Sequence, residues 1–222
     1  MVDDLLLSAR SHVEALLGDR KPEWLRFHDF QHATSVAETC RAIGSALNLS
    51  DEMIEVLTLA AWFHDVGYLE GIDGHEERSV DQATAFLEQN RYPEEKIAQV
   101  AGCIRATKMP QQPKNLLEQV LCDADIAHLA RKDYLQISDC VRREIEHRMR
   151  IRLTRLEWLA MNIDFVAGHR YFTEYAKTHF EKQRRLNLAT LKRQLNRLKE
   201  ECEEKPLGKC TRKAPVEQEG GE

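Results

Sequence analysis

The chain has 222 residues, of which 42% are hydrophobic and 31% are charged, enough to bury the core of a domain of moderate size. Its net charge of −5, from 32 basic and 37 acidic residues, excludes a global electrostatic attraction to nucleic acid or to an anionic membrane. No apolar stretch approaches the roughly 20 residues of a membrane-spanning helix, and the start, MVDDLLLSAR, has too short an apolar run for a signal peptide, so we expect a cytoplasmic protein with no membrane or nucleic-acid partner.

Helical periodicity predicts an all-α chain, because the alternating pattern of strands is nearly absent and only six prolines and ten glycines interrupt the sequence. In chain order, the predicted helices cover about residues 2–18, 32–48, 51–66, 75–90, 94–107, 114–131, 133–149, 154–169 and 173–200. Ser50 is the expected N-cap of the third helix. We expect residues 1–200 to form a single domain whose long last helix starts near residue 173, and residues 203–222 to be a disordered tail.

Ionisable residues continue the apolar stripes of three predicted helices. His64 and Asp65 do so at the end of the helix at 51–66, which is apolar nearly all round. His32 stands at the start of the stripe at 32–48, and Asp125 and His128 continue the stripe at 114–131. A buried carboxylate without a partner costs on the order of several kcal/mol, so it requires a cation, a hydrogen-bonding network or a metal. Two histidines and two aspartates suit a divalent cation, with helix caps and hydrogen-bonded core histidines as the alternative.

Three short motifs, FHDFQH at 27–32, FHD at 63–65 and DAD at 123–125, follow one another along the chain. Their order and spacing resemble the H…HD…D signature of the HD-domain superfamily of metal-dependent phosphohydrolases. Four further stretches are similar to small bacterial members of that superfamily, namely HEERSVDQA at 75–83, IRATK at 104–108, CDADIAHL at 122–129 and FVAGHRYFTEYA at 165–176. The resemblance covers roughly residues 24 to 190.

The resemblance implies an all-α HD-domain helical bundle that holds a divalent metal ion between its helices. Matched position by position, the ligands are His32, His64, Asp65 and Asp125. Mn2+, Co2+, Fe2+, Ni2+ and Mg2+ all suit such ligands to differing degrees. Members that bind two ions have further histidines between the HD motif and the last aspartate, where this chain has only His75. We therefore expect one tightly held ion.

The resemblance further implies hydrolysis of a phosphoester of a nucleotide or related small molecule, as a phosphomonoesterase or phosphodiesterase that uses a metal-activated water. Asp65 is then expected to act catalytically as well as to bind the metal. Arg26, His28 and Lys108 are the candidates for substrate contacts, and Lys108 is also a candidate for stabilising the transition state. Glu77 and Asp123 are expected to contact the metal ligands without binding the metal themselves.

The residues just after the HD motif bear on the substrate. Members that act on guanosine tetraphosphate or on nucleoside monophosphates tend to carry an acid three or four residues after the HD aspartate, where this chain has Tyr68 and Leu69. Neither substrate is therefore indicated. Gly67 is expected to let the chain turn away from the site.

Two alternatives stay open from the sequence. A protein of this fold without catalysis would be a nucleotide sensor or a protein-interaction module, in which the basic helix near 182–199 and the charged tail could take part. The Glu-x-x-His spacing of Glu144 and His147 also occurs in di-iron helical proteins, although its surroundings, VRREIEHRMRIR, predict a solvated face. No feature of the sequence predicts an oligomeric state.

Overall fold

The computed structural model describes residues 2–19 and 21–203, and within these ranges the chain forms ten α-helices and no β-strand. The predicted all-α fold is thereby confirmed. The helices α1 to α10 cover Val2–Glu14, Phe30–Ala46, Asp51–Phe63, His75–Gln89, Glu94–Ala106, Leu116–Asp125, Tyr134–Met149, Arg155–Gly168, Glu174–His179 and Glu181–Glu203. A π-helical turn at Ala15–Asp19 follows α1, and 3-10 helices at Val66–Glu70 and Ile126–Ala130 follow α3 and α6.

The chain divides into two compact units. The first contains the described residues up to 128 together with 171–181, and the second contains 129–170 together with the described residues from 182 onward. The tail predicted at 203–222 lies outside the described residues from position 204 on. In the part of the chain that is described, no helix has the length and apolar character needed to span a membrane.

Helix α3 lies at the centre of the first unit. All of its residues from Glu55 to Phe63 are buried, and it packs against α1, α2, α4, α5 and α6. Its start agrees with the prediction, because the Ser50 hydroxyl accepts a hydrogen bond from the Met53 amide at 3.4 Å. A helix that is apolar nearly all round can bury its surface only where neighbours cover every face, which explains this central position.

Helices α3 and α6 both end earlier than predicted, at Phe63 and Asp125, and each leads into a 3-10 helix. A 3-10 helix is wound more tightly than an α-helix, so the direction in which successive side chains project changes at this point. His64, Asp65 and Asp125 therefore stand where the winding changes, whereas His32 lies in the first turn of α2.

Gly67 lies in the first 3-10 helix, where the backbone runs against the start of α4. A Cβ atom at this position would lie 2.1 Å from the carbonyl oxygen of His75 and 2.9 Å from the amide nitrogen of Ser79. Positive φ angles occur at Gly71 and Gly74 of this segment but not at Gly67. The reason for glycine is therefore the close approach of two backbones, and not the turn that the sequence analysis expects.

The second unit contains α7, α8 and α10, and a buried polar network joins α7 to α8. The hydroxyl of Tyr134 donates a hydrogen bond to Asn162. The Ser138 hydroxyl accepts hydrogen bonds from Asn162 Nδ2 at 2.8 Å and from Trp158 Nε1 at 3.2 Å. These bonds satisfy polar groups whose burial would otherwise be costly.

The structure has two helices, α9 and α10, where the sequence analysis expects a single helix from residue 173 to 200. The interruption is at Phe180, whose ring packs against Tyr171 and Tyr175 at centroid distances of 5.5 and 5.9 Å. Phe180 also packs against the core of the first unit, to which α9 belongs. No proline or glycine occurs from residue 173 to 200, so the sequence contains no helix-breaking residue that would reveal this interruption.

Candidate metal centre

His32 lies in the first turn of α2, and the start of this helix is set by Asp29. The Asp29 Oδ1 atom accepts hydrogen bonds from the amides of Gln31 at 3.0 Å and His32 at 3.1 Å, while its Oδ2 atom accepts one from Lys21 at 2.7 Å. His32 stands four residues before Val36 on the buried stripe of α2 and is 7% exposed. The cap therefore fixes an inward-facing imidazole.

His64 and Asp65 follow the last residue of α3 and are 0% and 4% exposed. The Nδ1 atom of His64 donates a hydrogen bond to the carbonyl oxygen of Ala61 at 2.9 Å. Because a carbonyl can only accept, this bond places a hydrogen on Nδ1 and leaves the lone pair of the neutral ring on Nε2. The ring is thus oriented with its ligand atom towards Asp65.

Asp125, the last residue of α6, completes a cluster with these three side chains. Its Oδ1 atom lies 3.2 Å from His32 Nε2 and 3.6 Å from His64 Nε2. The Oδ2 atom of Asp65 lies 3.4 and 3.0 Å from the same two nitrogens. All four ligand atoms lie within 4.8 Å of one another, and this is the one group of its kind among the described residues.

The geometry of the cluster fits a divalent cation. Metal bonds of about 2.1 Å place neighbouring ligand atoms roughly 3.0 Å apart at octahedral angles and roughly 3.4 Å apart at tetrahedral angles. The four separations between the nitrogens and oxygens run from 3.0 to 3.6 Å. Among the described residues, His64 Nε2 and Asp65 Oδ2 are also buried without a hydrogen-bond partner. Such atoms are costly unless a further group, such as a cation, binds them.

The charges of the cluster also favour a bound cation. Burial alone would lower the pKa of His64, but Asp65 and Asp125 raise that pKa well above its usual value. Burial alone would raise the pKa of Asp65, but His64 and other nearby histidines lower it. Burial alone would likewise raise the pKa of Asp125, but the neighbouring His32 and His64 lower it. Two ionised carboxylates in a buried place require positive charge, which either a proton or a metal ion can supply.

Three rings, those of His28, Tyr68 and His75, pack against one another beside Asp65. The ring of His28 lies parallel to that of Tyr68 at a centroid distance of 4.2 Å, and Tyr68 lies 4.0 Å from the ring of His75. His75 Nε2 lies 3.7 Å from Asp65 Oδ1, the carboxylate oxygen that does not face the nitrogens of the cluster. The His28 side chain thus lies close to the cluster, and its contact with a substrate stays a prediction.

Phe27 and His128 pack against another part of the cluster. Phe27 lies 4.4 Å from the ring of His32 and 4.8 Å from that of His128. The Nδ1 atom of His128 donates to the carbonyl oxygen of Asp125 at 2.9 Å. Burial, together with the neighbouring His32, lowers the pKa of His128 to about 4, so its ring is neutral at pH 7. These rings add apolar surface around the cluster.

Asp123 is fully buried, and its hydrogen bonds go to the start of α9. Its Oδ1 atom accepts from the Phe172 amide at 2.8 Å, and its Oδ2 atom accepts from both the amide and the hydroxyl of Thr173 at 2.7 Å. Burial raises the pKa of Asp123 in spite of these bonds. Asp123 thus ties residues 171–181 to α6, two positions from Asp125.

The remaining predicted site residues lie on the surface. Arg26 and Lys108 are exposed, and Glu77 is paired with Arg105, whose Nε lies 2.9 Å from the carboxylate. Glu77 is not a member of the group of metal-capable side chains found among the described residues. The acid that faces inward on α4 is Glu76, which is 8% exposed and lies 3.6 Å from Nδ1 of His75.

A sequence signal for Glu76 exists, because it stands four residues before Val80 on the buried stripe of α4. No pattern in the sequence predicts a role for Arg78, because its partners are backbone carbonyls.

The Glu-x-x-His pair of α7 differs from its expected surroundings. Glu144 is 1% exposed, so the predicted solvated face is wrong for this residue, whereas His147 is exposed. Neither belongs to a group of three or more metal-capable side chains within the described part of the chain. A di-iron site therefore receives no support from this pair.

Comparison with known proteins supports the expected family. The family described as HD domain matches residues 29–130. The chain is similar to a predicted HD superfamily hydrolase from an uncultured Thermotogales bacterium, with 19% identity and a TM-score of 0.55 over 86% of this chain and 92% of that one. A protein from Lactobacillus plantarum shares 14% identity with a TM-score of 0.66, over 92% of this chain and all of the other.

A third similar structure is that of Bacillus subtilis YpgQ in complex with ADP, with 17% identity and a TM-score of 0.58 over 93% of this chain and 98% of that one. At such identities the likeness shows the fold, and no curated protein matches the chain. Residues 29–130 of this chain thus match the HD-domain family, whose members are typically metal-dependent hydrolases.

Proposed function

We propose that the protein is a metal-dependent phosphohydrolase that cleaves a phosphoester of a nucleotide or of a related small molecule. The observation that carries this proposal is the buried cluster, in which His64 Nε2 and Asp65 Oδ2 lie 3.0 Å apart without hydrogen-bond partners among the described residues. The residues that would hold the ion are His32, His64, Asp65 and Asp125. A bound divalent cation supplies Lewis-acid activation of water and of a phosphoryl oxygen.

The side chains of the site take the remaining tasks. His64 and His32 are held with Nε2 towards the carboxylates, so the ligand set is ordered before any substrate arrives. Asp65 directs Oδ2 at the cluster and Oδ1 away from it, which leaves Oδ1 available to accept the proton of the attacking water. His28, beside Tyr68, is proposed to contact the substrate.

Cationic contacts are proposed for Arg26 and Lys108. Both are exposed on segments next to the first unit's helices, Arg26 shortly before α2 and Lys108 shortly after α5. A long side chain on such a segment can reach a phosphate without being buried in the free protein, and its charge would stabilise the negative charge that develops on the phosphoryl group. Asp123 is proposed to act indirectly, by holding the segment around Thr173 beside α6.

Two observations support a nucleotide as the class of substrate. The HD-domain family is typically hydrolytic, and the similar YpgQ of Bacillus subtilis was crystallised with ADP. Tyr68, which stands at a position where some related enzymes carry an acid, packs between two imidazoles. Substrates that depend on that acid are therefore not proposed for this chain.

The test combines metal analysis of the purified protein with a screen of phosphomonoesters, cyclic nucleotides and nucleoside di- and triphosphates. We expect about one ion per chain and turnover of at least one of these substrate classes. Asp65→Asn is expected to lose both metal and turnover, because it removes a charged ligand from a buried site. Asp133→Asn, at an exposed aspartate paired with Arg131, is the matched control and should keep both. Metal-loaded protein that binds nucleotides without hydrolysing any substrate would instead support a nucleotide sensor, and full activity in Asp65→Asn would refute the assignment of the site.

A further inference from the structure

The segment Gly67–Gly74 joins the cluster to α4, contains Tyr68 and is followed directly by His75, so it positions two of the three rings beside Asp65. Tyr68, at its start, is 8% exposed and packs between His28 and His75. His75, just after its end, lies 3.7 Å from the outer oxygen of Asp65. The path of this segment therefore determines where two ring side chains stand relative to the cluster.

One arginine binds the backbone of this segment at three points. Arg78 Nε donates to the carbonyl oxygen of Gly67 at 3.1 Å, and Nη1 donates to that of Asp73 at 2.8 Å. Its Nη2 donates to the carbonyl oxygen of Gly71. The neighbouring Ser79 hydroxyl accepts a hydrogen bond from the Gly67 amide at 2.9 Å. Both ends and the middle of the segment are thus held from the first turn of α4.

The backbone of the segment follows a course that needs such support. Gly71 and Gly74 have φ angles of 129° and 71°, which side-chain-bearing residues rarely adopt. Glycines leave a chain with more conformational freedom than other residues, so this path is not defined by local sterics. The guanidinium of Arg78 is planar and donates hydrogen bonds in several fixed directions, so it can hold this segment in a single backbone conformation.

We propose that Arg78 is a positioning residue for substrate binding, which acts by fixing the segment Gly67–Gly74 and through it the rings of Tyr68 and His75. The inference rests on the proposed hydrolase function. None of the four proposed ligands donates to or accepts from Arg78 in the bonds described, so the metal site and the ring positions depend on different contacts. Loss of Arg78 should therefore weaken substrate binding while the ion stays bound.

The test compares Arg78→Lys and Arg78→Gln with the wild-type chain, each loaded with the same ion and assayed with the best substrate of the screen. A lysine can donate from one point but cannot hold three carbonyls in the arrangement of the guanidinium. We expect unchanged metal content, a KM raised about 10-fold and a smaller change in kcat, because losing one or two substrate contacts from displaced rings weakens binding by about this factor. A purely structural role would lower the amount of active protein, and hence the apparent kcat, without raising KM.

Hydrogen exchange supplies a second measurement that does not depend on turnover. The amides of Gly67, Tyr68, Gly71 and His75 are all hydrogen-bonded within or next to the segment. They should exchange faster in both variants, whereas amides in α3 should be unaffected. Ser79→Ala removes the acceptor of the Gly67 amide, so it should also raise KM and speed the exchange of these amides. This variant replaces Arg78→Gln in the test if Arg78→Gln does not fold.

Arg105→Lys is the matched control, since Arg105 binds only the exposed carboxylate of Glu77 in the bonds described and should leave KM and exchange unchanged. Wild-type KM and exchange in Arg78→Lys, with an active wild-type enzyme, would overturn the inference and leave the proposed function standing. A metal-loaded wild-type chain that hydrolyses nothing would overturn the proposed function instead.

Discussion

Gly67→Ala is the perturbation whose effect follows most directly from the structure. The added Cβ would lie 2.1 Å from the carbonyl oxygen of His75 and 2.9 Å from both the carbonyl carbon of His75 and the amide nitrogen of Ser79. Real Cβ contacts essentially never fall below 3.0 Å, so the backbones must separate by about 1 Å. All three atoms belong to the backbone, and no side-chain rotation can relieve the contact.

The expected cost combines overpacking with lost hydrogen bonds. Forcing a methyl group into a filled site costs about 1–3 kcal/mol, and losing the bonds of Gly67 to Ser79 and Arg78 adds on the order of 1 kcal/mol each. We therefore expect the free energy of unfolding to fall by roughly 3–5 kcal/mol, a large part of the 5–15 kcal/mol typical of domains. A displacement on the order of 1 Å at His75 should also lower kcat/KM about 100-fold.

The assays are urea unfolding of the metal-free protein and kinetics of the metal-loaded protein. The matched control is Gly168→Ala, because nothing lies within 4 Å of a Cβ at that position, the last residue of α8. This control should keep wild-type activity and equal or slightly higher stability, as expected for alanine in a helix. A Gly67→Ala protein with the stability and activity of Gly168→Ala would refute the proposed contact and the role of this backbone approach.

Three further predictions concern single side chains. His64→Ala should abolish metal binding and turnover, since it removes a buried ligand; bound metal at wild-type stoichiometry would contradict this. Asp123→Ala should lower the free energy of unfolding by about 2–4 kcal/mol, because it leaves the buried Thr173 amide and hydroxyl without their acceptor, while metal content stays near that of the wild type. Glu146→Gln should cost about 1–3 kcal/mol at pH 7, since the carboxylate accepts bonds from the Leu153 amide and Arg142. Burial alone would raise the pKa of Glu146, but these bonds lower it below its ordinary value of 4.5. The difference in unfolding free energy between wild type and variant should therefore be complete above pH 4.5 and should shrink as the pH falls below that value. Denaturation measured across a range of pH checks this expectation.

The sequence determines much of the fold and of the candidate metal centre. Apolar side chains at helical spacing predict nine helical segments, and the structure places helices in all of them. His32, His64, Asp65 and Asp125 could be named because each continues a buried stripe and because their order resembles a known signature. A stripe identifies the face of a helix that will be buried, and an ionisable residue on that face must find a partner, so this information is local and is written in the sequence.

Contacts between elements could be decided only by the tertiary structure. Asp123 and Asp125 are two residues apart, yet one binds the start of α9 and the other joins the cluster, because their side chains meet different neighbours. Glu76 is buried while the adjacent Glu77 is exposed, since the register of α4 is set by its packing. Phe180 interrupts a helix that its sequence would continue, because its ring packs into the core of the first unit. Gly67 is needed because two backbones approach each other, and no pattern along one segment of the chain can report the distance to another.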